Sequence, residues 1–167
     1  MPSQVLIMRG LPGSGKSYAA RKFYQHTVPD DSEYVGLCST DDYFYQDGIY
    51  CFDPTRLEDN HRQNQQRFAE LIAQQWPLVV CDNTNMQQWE LESYIEVARE
   101  QGCEILVVEV GDPQDMHHQK VCADRNRHGI NDRTIFEMAS NYEPIDSWLS
   151  TLNIPLVRRE SWSGSIT

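Results

Sequence analysis

Basic residues are scarce in this chain. Its 167 residues include 14 Lys and Arg against 25 Asp and Glu, a formal net charge of −11. A surface coated in positive charge for duplex nucleic acid is thereby excluded, although net charge does not forbid one local basic cleft. Long apolar runs are missing too, and the longest, such as Ile105 to Val108, are far too short to cross a bilayer. Met1-Pro2-Ser3-Gln4 carries no charged segment followed by an apolar one, so no secretory leader is expected. The five cysteines (Cys38, Cys51, Cys81, Cys103, Cys122) are scattered and never spaced Cys-x-x-Cys. They read as reduced thiols rather than a disulfide framework or a zinc site. With 9 Gly, 8 Pro and 40% hydrophobic residues, disorder is not expected either. What remains is one acidic, soluble, cytoplasmic domain with enough chain for a sizeable core.

Within that domain, strand and helix patterns alternate. Val5 to Met8 is a short buried-strand run, Ser17 to His26 reads as a helix, and Tyr34 to Cys38 as a second strand. Residues 41–54 look irregular, punctuated by Gly48 and Pro54. Pro54 then starts a helix to about Gln75, polar in its first half and carrying Phe68, Leu71 and Ile72 on one face in its second. Leu78 to Cys81 and Glu104 to Val110 are further strands, separated by a helix from Trp89 to Gln101 that stops at Gly102. A thin apolar stripe marks Asp115 to Arg127 as a helix. A second helix, Arg133 to Tyr142, has Asp132 as its N-cap, and Ile154 to Val157 makes a last strand. Such alternation predicts an α/β fold of three layers, a parallel sheet between helices.

The loop after the first strand carries the chemistry. Gly10-Leu11-Pro12-Gly13-Ser14-Gly15-Lys16-Ser17 fits G-x-x-x-x-G-K-[ST] at every position, between a strand and a helix as that motif requires. Its glycines allow a concave ring of main-chain N–H groups, and the following helix adds its positive end, so a polyphosphate is the expected ligand. Lys16 can reach the β- and γ-phosphates, the Ser17 hydroxyl can ligate Mg²⁺, and Tyr18 joins the loop residues as a nucleotide contact. The bland alternative, a turn that merely joins strand to helix, leaves the complete match in its correct setting unexplained.

Three further segments fit this reading. Asp82 closes the strand 78–81 and is followed by Asn83-Thr84-Asn85. A carboxylate there can hold the Mg²⁺ water shell, though on sequence alone Asp82 and Asn83 are equivalent candidates and a simple turn would look the same. No Asn-Lys-x-Asp motif for guanine occurs, which favours ATP. Ser39-Thr40-Asp41-Asp42-Tyr43 follows the second strand, where carboxyl ends of neighbouring strands share a crevice. Asp41 there can accept the proton of an attacking hydroxyl, or it can just cap a turn. Arg125-Asn126-Arg127-His128-Gly129 concentrates cations in an acidic chain. It reads either as a lid that neutralises charge on the transferring phosphoryl, or as a solvated helix end. His117 and His118 match no zinc spacing and read as surface residues.

These segments, with Asn60 to Arg67, Trp89-Glu90 and Tyr142-Glu143, resemble the polynucleotide-kinase-like branch of P-loop kinases. Its members are small AAA-type ATP-binding proteins similar to the kinase half of phage-type polynucleotide 5′-hydroxyl kinases, and the match runs over about residues 5–143. The resemblance implies a P-loop NTPase fold spanning residues 1–167, with a basic lid near 125–133 and an acceptor side near 41–75. It implies an ATP- and Mg²⁺-dependent phosphotransferase in which Asp41 is the general base and Arg125, with Arg127, comes from the lid. The phage-type enzymes carry an Arg just after the Asp-Asp-Tyr segment, and Phe44 stands here instead. No phosphatase segment follows in this sequence. The acceptor thus stays open between a nucleic-acid 5′-hydroxyl and the hydroxyl of a nucleoside, sugar or antibiotic. A nucleotide-sensing module without transfer is the third reading. Arg56, His61, Arg62, Asn64 and Arg67 mark the expected acceptor side, with a merely solvated helix face as the alternative.

Overall fold

Apolar residues in the strands alternate between two helical layers, and that alternation builds the molecule. The computed structural model describes residues 2–25, 35–40, 45–46, 49–50, 54–125 and 132–160. Strands β1 (Gln4–Arg9), β2 (Val35–Cys38), β5 (Leu78–Asp82), β6 (Glu104–Val110) and β7 (Leu156–Arg159) form one sheet in the order β2-β5-β1-β6-β7. Every neighbouring pair in it is parallel. Val5 lies opposite Val79 and Ile105, and Ile7 opposite Cys81 and Val107. All six face the helices α2 (Leu57–Ala73) and α3 (Gln88–Glu100), under Phe68, Leu91, Tyr94 and Ile95. One residue out of phase, Leu6, Met8, Val80 and Val108 face the other way onto Ala20 and Tyr24 of α1 (Lys16–Gln25). Period-two alternation thus fills two cores, each buried aliphatic side chain contributing roughly 1.5–3 kcal/mol.

The chain order puts every phosphate-side loop on one edge. The chain steps outward from β1 to β2, returns to β5 beside β1, and crosses to β6 on the far side. The reversal at β1 opens a crevice outside the carboxyl ends of the strands. Helices α2 and α3 begin at that edge and run back across the sheet. Gln87 caps α3 in a reciprocal box, its N–H donating to Glu90 Oε2 at 2.8 Å. Gly102, at φ +70°, ends the same helix as expected. Beyond β6 come α4 (Met116–Arg125), α5 (Asp132–Ser140) and α6 (Asp146–Thr151). A third apolar cluster, Leu11, Met86, Cys122, Ile135 and Ala139, ties α4 and α5 to the loop after β1.

Several boundaries differ from the sequence expectations. The stretch 41–54, read as irregular, contains a short antiparallel pair, β3 (Tyr45–Gln46) with β4 (Ile49–Tyr50). The helix expected from Pro54 opens with a 3₁₀ turn, Pro54–Arg56, before α2 begins. The short helix α6 carries no readable periodicity in the sequence, because its six residues make fewer than two turns. The last strand begins two residues later than expected, at Leu156. His118 is not a surface residue: it is buried against Gly111, whose φ of +75° and close ring contact leave no room for a side chain. Among the described residues no helix is long and apolar enough to cross a membrane.

Candidate active site

The loop from Gly10 to Gly15 joins β1 to the first turn of α1 and owes its shape to two glycines in the left-handed region. Gly13 has φ +85°, and a Cβ there would lie 2.5 Å from the Cys122 carbonyl oxygen, so loop backbone rests directly on α4. Gly15 follows at φ +92°, and its carbonyl accepts the Ala19 N–H at 2.9 Å, which starts α1. Leu11 is fully buried in the third cluster, so it offers the site its main chain and anchors the loop with its side chain. The loop is also pinned from the segment just after β5, the Gly10 N–H donating to the Thr84 carbonyl at 3.0 Å. Lys16 and Ser17 open α1, and Tyr18 is exposed beside Lys22, whose ammonium lies 5.4 Å from its ring.

Across the crevice, Asp82 ends β5. The Ser17 hydroxyl donates to Asp82 Oδ2 at 2.6 Å, so the two residues expected to share a metal are in contact. Asp82 Oδ1 is buried with no hydrogen-bond partner. A buried carboxylate oxygen left unmatched beside a hydroxyl is a donor set suited to a hard divalent cation and its water. Asn83, equivalent to Asp82 on sequence, is committed elsewhere. Its Oδ1 accepts from the Thr40 N–H at 2.7 Å and from the Thr40 hydroxyl at 2.8 Å.

Beneath the loop lies a buried charge that the sequence reading assigned no role. Arg9, wholly inaccessible, donates through Nε to the Asn85 carbonyl at 2.8 Å and through Nη2 to the carbonyls of Met86, at 2.7 Å, and Glu143. Its guanidinium sits 4.3 Å from the centre of the Tyr142 ring, and Glu109 lies 3.4 Å away. Glu109 in turn accepts from Arg158 at 2.9 Å, and Arg158 from its other side reaches Asp146 at 2.9 Å. Arg9, Glu109 and Arg158 occupy one register row across β1, β6 and β7. Burial lowers the Arg9 pKa from its ordinary value and Glu109 opposes that shift, while the hydrogen bond from Arg158 to Asp146 raises the Arg158 pKa. The signal available in sequence was charge of opposite sign at matching ends of the apolar runs 4–9 and 104–110.

The remaining predicted residues divide into two groups. Arg125 is the last residue of α4 and lines a cavity of about 480 Å³ with Gly111, His118, Arg158 and Arg159, open at the same edge of the sheet. Asp41 and Arg127 lie outside the described residues, as do positions 126–131 of the predicted lid. On the acceptor side, Asn60 and Asn64 are fully buried rather than solvated, whereas Arg62 is exposed and pairs along its own helix with Glu58 and Asp59. His61 meets the exposed Trp89 ring edge-on at 6.0 Å, and burial lowers its pKa.

A parallel sheet with a glycine loop, Lys16 and Ser17 after β1, and Asp82 at the end of the adjacent strand defines the P-loop kinase-like class of α/β proteins. A family profile described as an AAA domain matches residues 5–145, and the chain belongs to that family. It is 36% identical over 139 residues to human NEDD4-binding protein 2, covering 83% of this chain and 8% of that protein. Human YLP motif-containing protein 1 is 24% identical over 170 residues, again covering 8% of its length. The chain therefore spans under a tenth of the curated relatives it matches. Among solved structures, a chain of the Pnkp1/Rnl/Hen1 RNA repair complex superposes with a TM-score of 0.62 at 21% identity, over 84% of this chain and 44% of that one. Chaetomium thermophilum Kti12 in complex with ADP-AlF3 gives 0.60 at 15% identity, over 96% and 90%. A gluconokinase from Sinorhizobium meliloti gives 0.58 at 15%, over 98% and 85%. At these identities the structural likeness establishes the fold, one consistent with ATP-binding phosphotransfer.

Proposed function

We propose that this chain is an ATP- and Mg²⁺-dependent kinase domain that transfers the γ-phosphoryl group to a hydroxyl, a nucleic-acid 5′-hydroxyl being one candidate acceptor. The observation that carries the proposal is the 2.6 Å contact between Ser17 and Asp82 beside a glycine loop held in left-handed conformations. The main-chain amides of residues 10–15 and the Lys16 ammonium bind the β- and γ-phosphates and stabilise charge as it spreads over the transferring group. Ser17 and Asp82 would hold Mg²⁺, which would supply positive charge to neutralise the phosphate oxygens. The acceptor oxygen attacks the γ-phosphorus, its proton passes to the Asp41 carboxylate, and the bond from γ-phosphorus to the bridging oxygen breaks to release ADP. Arg125 and Arg127 close over the phosphates from the lid at 125–133, and the acceptor enters along 41–75.

A small-alcohol acceptor is the competing reading, favoured by the net charge of −11 and by Phe44. Calorimetry with ATP and Mg²⁺, followed by transfer assays on 5′-hydroxyl oligonucleotides beside nucleosides and sugars, tests both levels. ATP binding is expected for the protein and is lost in Lys16→Ala. Asp41→Asn is expected to lose about 10²–10⁴ in transfer rate with ATP affinity near that of the unaltered protein. A protein that takes up no ATP would end the kinase reading. A fully active Asp41→Asn variant would remove that residue from the mechanism, and transfer to small alcohols alone would replace the nucleic-acid acceptor.

A further inference from the structure

Between the apolar layers of α2 and α3 runs a chain of buried polar side chains. Asn64 Nδ2 donates to the Tyr94 hydroxyl at 2.8 Å, and Asn83 Nδ2 donates to the same oxygen at 3.4 Å. The Asn83 Oδ1 then takes both the main-chain N–H and the hydroxyl of Thr40. None of the four is more than 7% exposed. Phe68 holds the Tyr94 ring edge-on at 5.1 Å, so the hydroxyl has one location. Burial raises the Tyr94 pKa, which keeps the phenol neutral, a hydrogen-bonding group and not a charge.

Apolar side chains of equal size would pack this interior as stably, since a net hydrogen bond contributes only about 0.5–1.5 kcal/mol against the cost of desolvation. What apolar packing cannot supply is a fixed position for the two loops at which the chain ends. The β2–β5 ladder stops at the pair Cys38–Cys81, and beyond it the Asn83 carboxamide takes the place of the missing ladder bond by holding the Thr40 N–H. Asn83 directly follows Asp82, the partner of Ser17. Thr40 directly precedes Asp41 in the sequence.

We infer that Asn64, Tyr94 and Asn83 are positioning residues that lock the ends of β2 and β5 together, so that the phosphoryl-transfer groups are preorganised before the acceptor arrives. The inference rests on the kinase reading above and adds to it the interior device that sets its geometry. Preorganisation of this kind acts on the transition state and leaves the bound ground state almost untouched. Tyr94→Phe removes one oxygen from the chain and leaves its ring in place.

The test is calorimetric and needs no knowledge of the acceptor. The unaltered protein and Tyr94→Phe are titrated with ADP and Mg²⁺, then with ADP, Mg²⁺ and aluminium fluoride as a mimic of the transferring phosphoryl group. The expected result is ADP affinity within twofold of the unaltered protein and a loss of about tenfold in the additional affinity that aluminium fluoride confers. Asn64→Leu should do the same, and the double variant should be no worse than the weaker single one, because both cut one chain. Equal losses for ADP and the mimic, no loss for either, or additive losses in the double variant would overturn the inference. So would an unaltered protein that binds ADP yet gains nothing from aluminium fluoride. A protein that binds no ADP at all would fail the kinase reading itself, which separates the two failures.

Discussion

The two edges of the sheet are built from opposite materials. At the carboxyl edge, Arg9, Thr40, Asn60, Asn64, Asn83, Asn85, Glu109 and His118 are all buried. At the amino edge Ser3 is the only buried polar residue among those described, and Val5, Leu6, Leu78, Ile105 and Ile154 line an open cavity of about 600 Å³. That cavity is larger than the one beside Arg125, yet among the described residues it faces neither the phosphate-type glycine loop of residues 10–15 nor the charged row of Arg9, Glu109 and Arg158. Volume therefore does not locate the site in this molecule. Buried polar groups do, because each costs stability that an apolar side chain would not, and they gather at the carboxyl ends of the strands, where the strand order reverses.

The sharpest way to break that contrast is at Arg9. Arg9→Met takes the guanidinium donor from the carbonyls of Asn85, Met86 and Glu143 and removes the buried cation facing Glu109, so it is expected to cost about 3–5 kcal/mol of folding stability. Denaturant unfolding measures it, and a loss below about 1 kcal/mol would show that the buried row contributes little. At the amino edge Ile105→Val should cost only about 0.5–1.5 kcal/mol and leave ATP affinity unaltered. Weakened nucleotide binding in that variant would contradict the division between the edges.

The smallest effect is a pH dependence. Burial lowers the pKa of His118, against Asp115 and Asp112 that favour its proton and alongside Arg125 and His117 that oppose it. Burial lowers that of His61 as well. The unfolded chain therefore binds more protons than the folded one as pH falls below about 6.5, and stability present above that value is lost progressively below it. Thermal unfolding at pH 7.5 and 5.5 should show the fall, with a shallower slope in His118→Gln. A slope unaffected by that substitution would place the titration elsewhere.

The glycine loop was readable because a local motif in a strand–helix setting needs no partner from elsewhere in the chain. The strands were readable for a similar reason, since short apolar runs such as Glu104 to Val110 carry the signal of a buried strand in their own composition. Asn60 and Asn64 were not. A polar residue on a helix reads as solvated until packing buries it, as the neighbouring helix does for Asn64 by supplying Tyr94. Arg9 directly precedes the loop motif, but the row it forms with Glu109 and Arg158 depends on strand order, which alternation of elements leaves open. Asp82 and Asn83 could be told apart only by what each touches.

The linear chain thus determined what short-range chemistry can determine: where phosphate-binding amides are possible, which segments alternate, and that the fold is α/β. Tertiary structure decided which distant groups share a crevice, because the reversal of strand order at β1 brings residues 9, 40, 82, 109 and 158 to one edge. Hydrogen bonds and ion pairs act over a few ångströms of space whatever their separation in sequence.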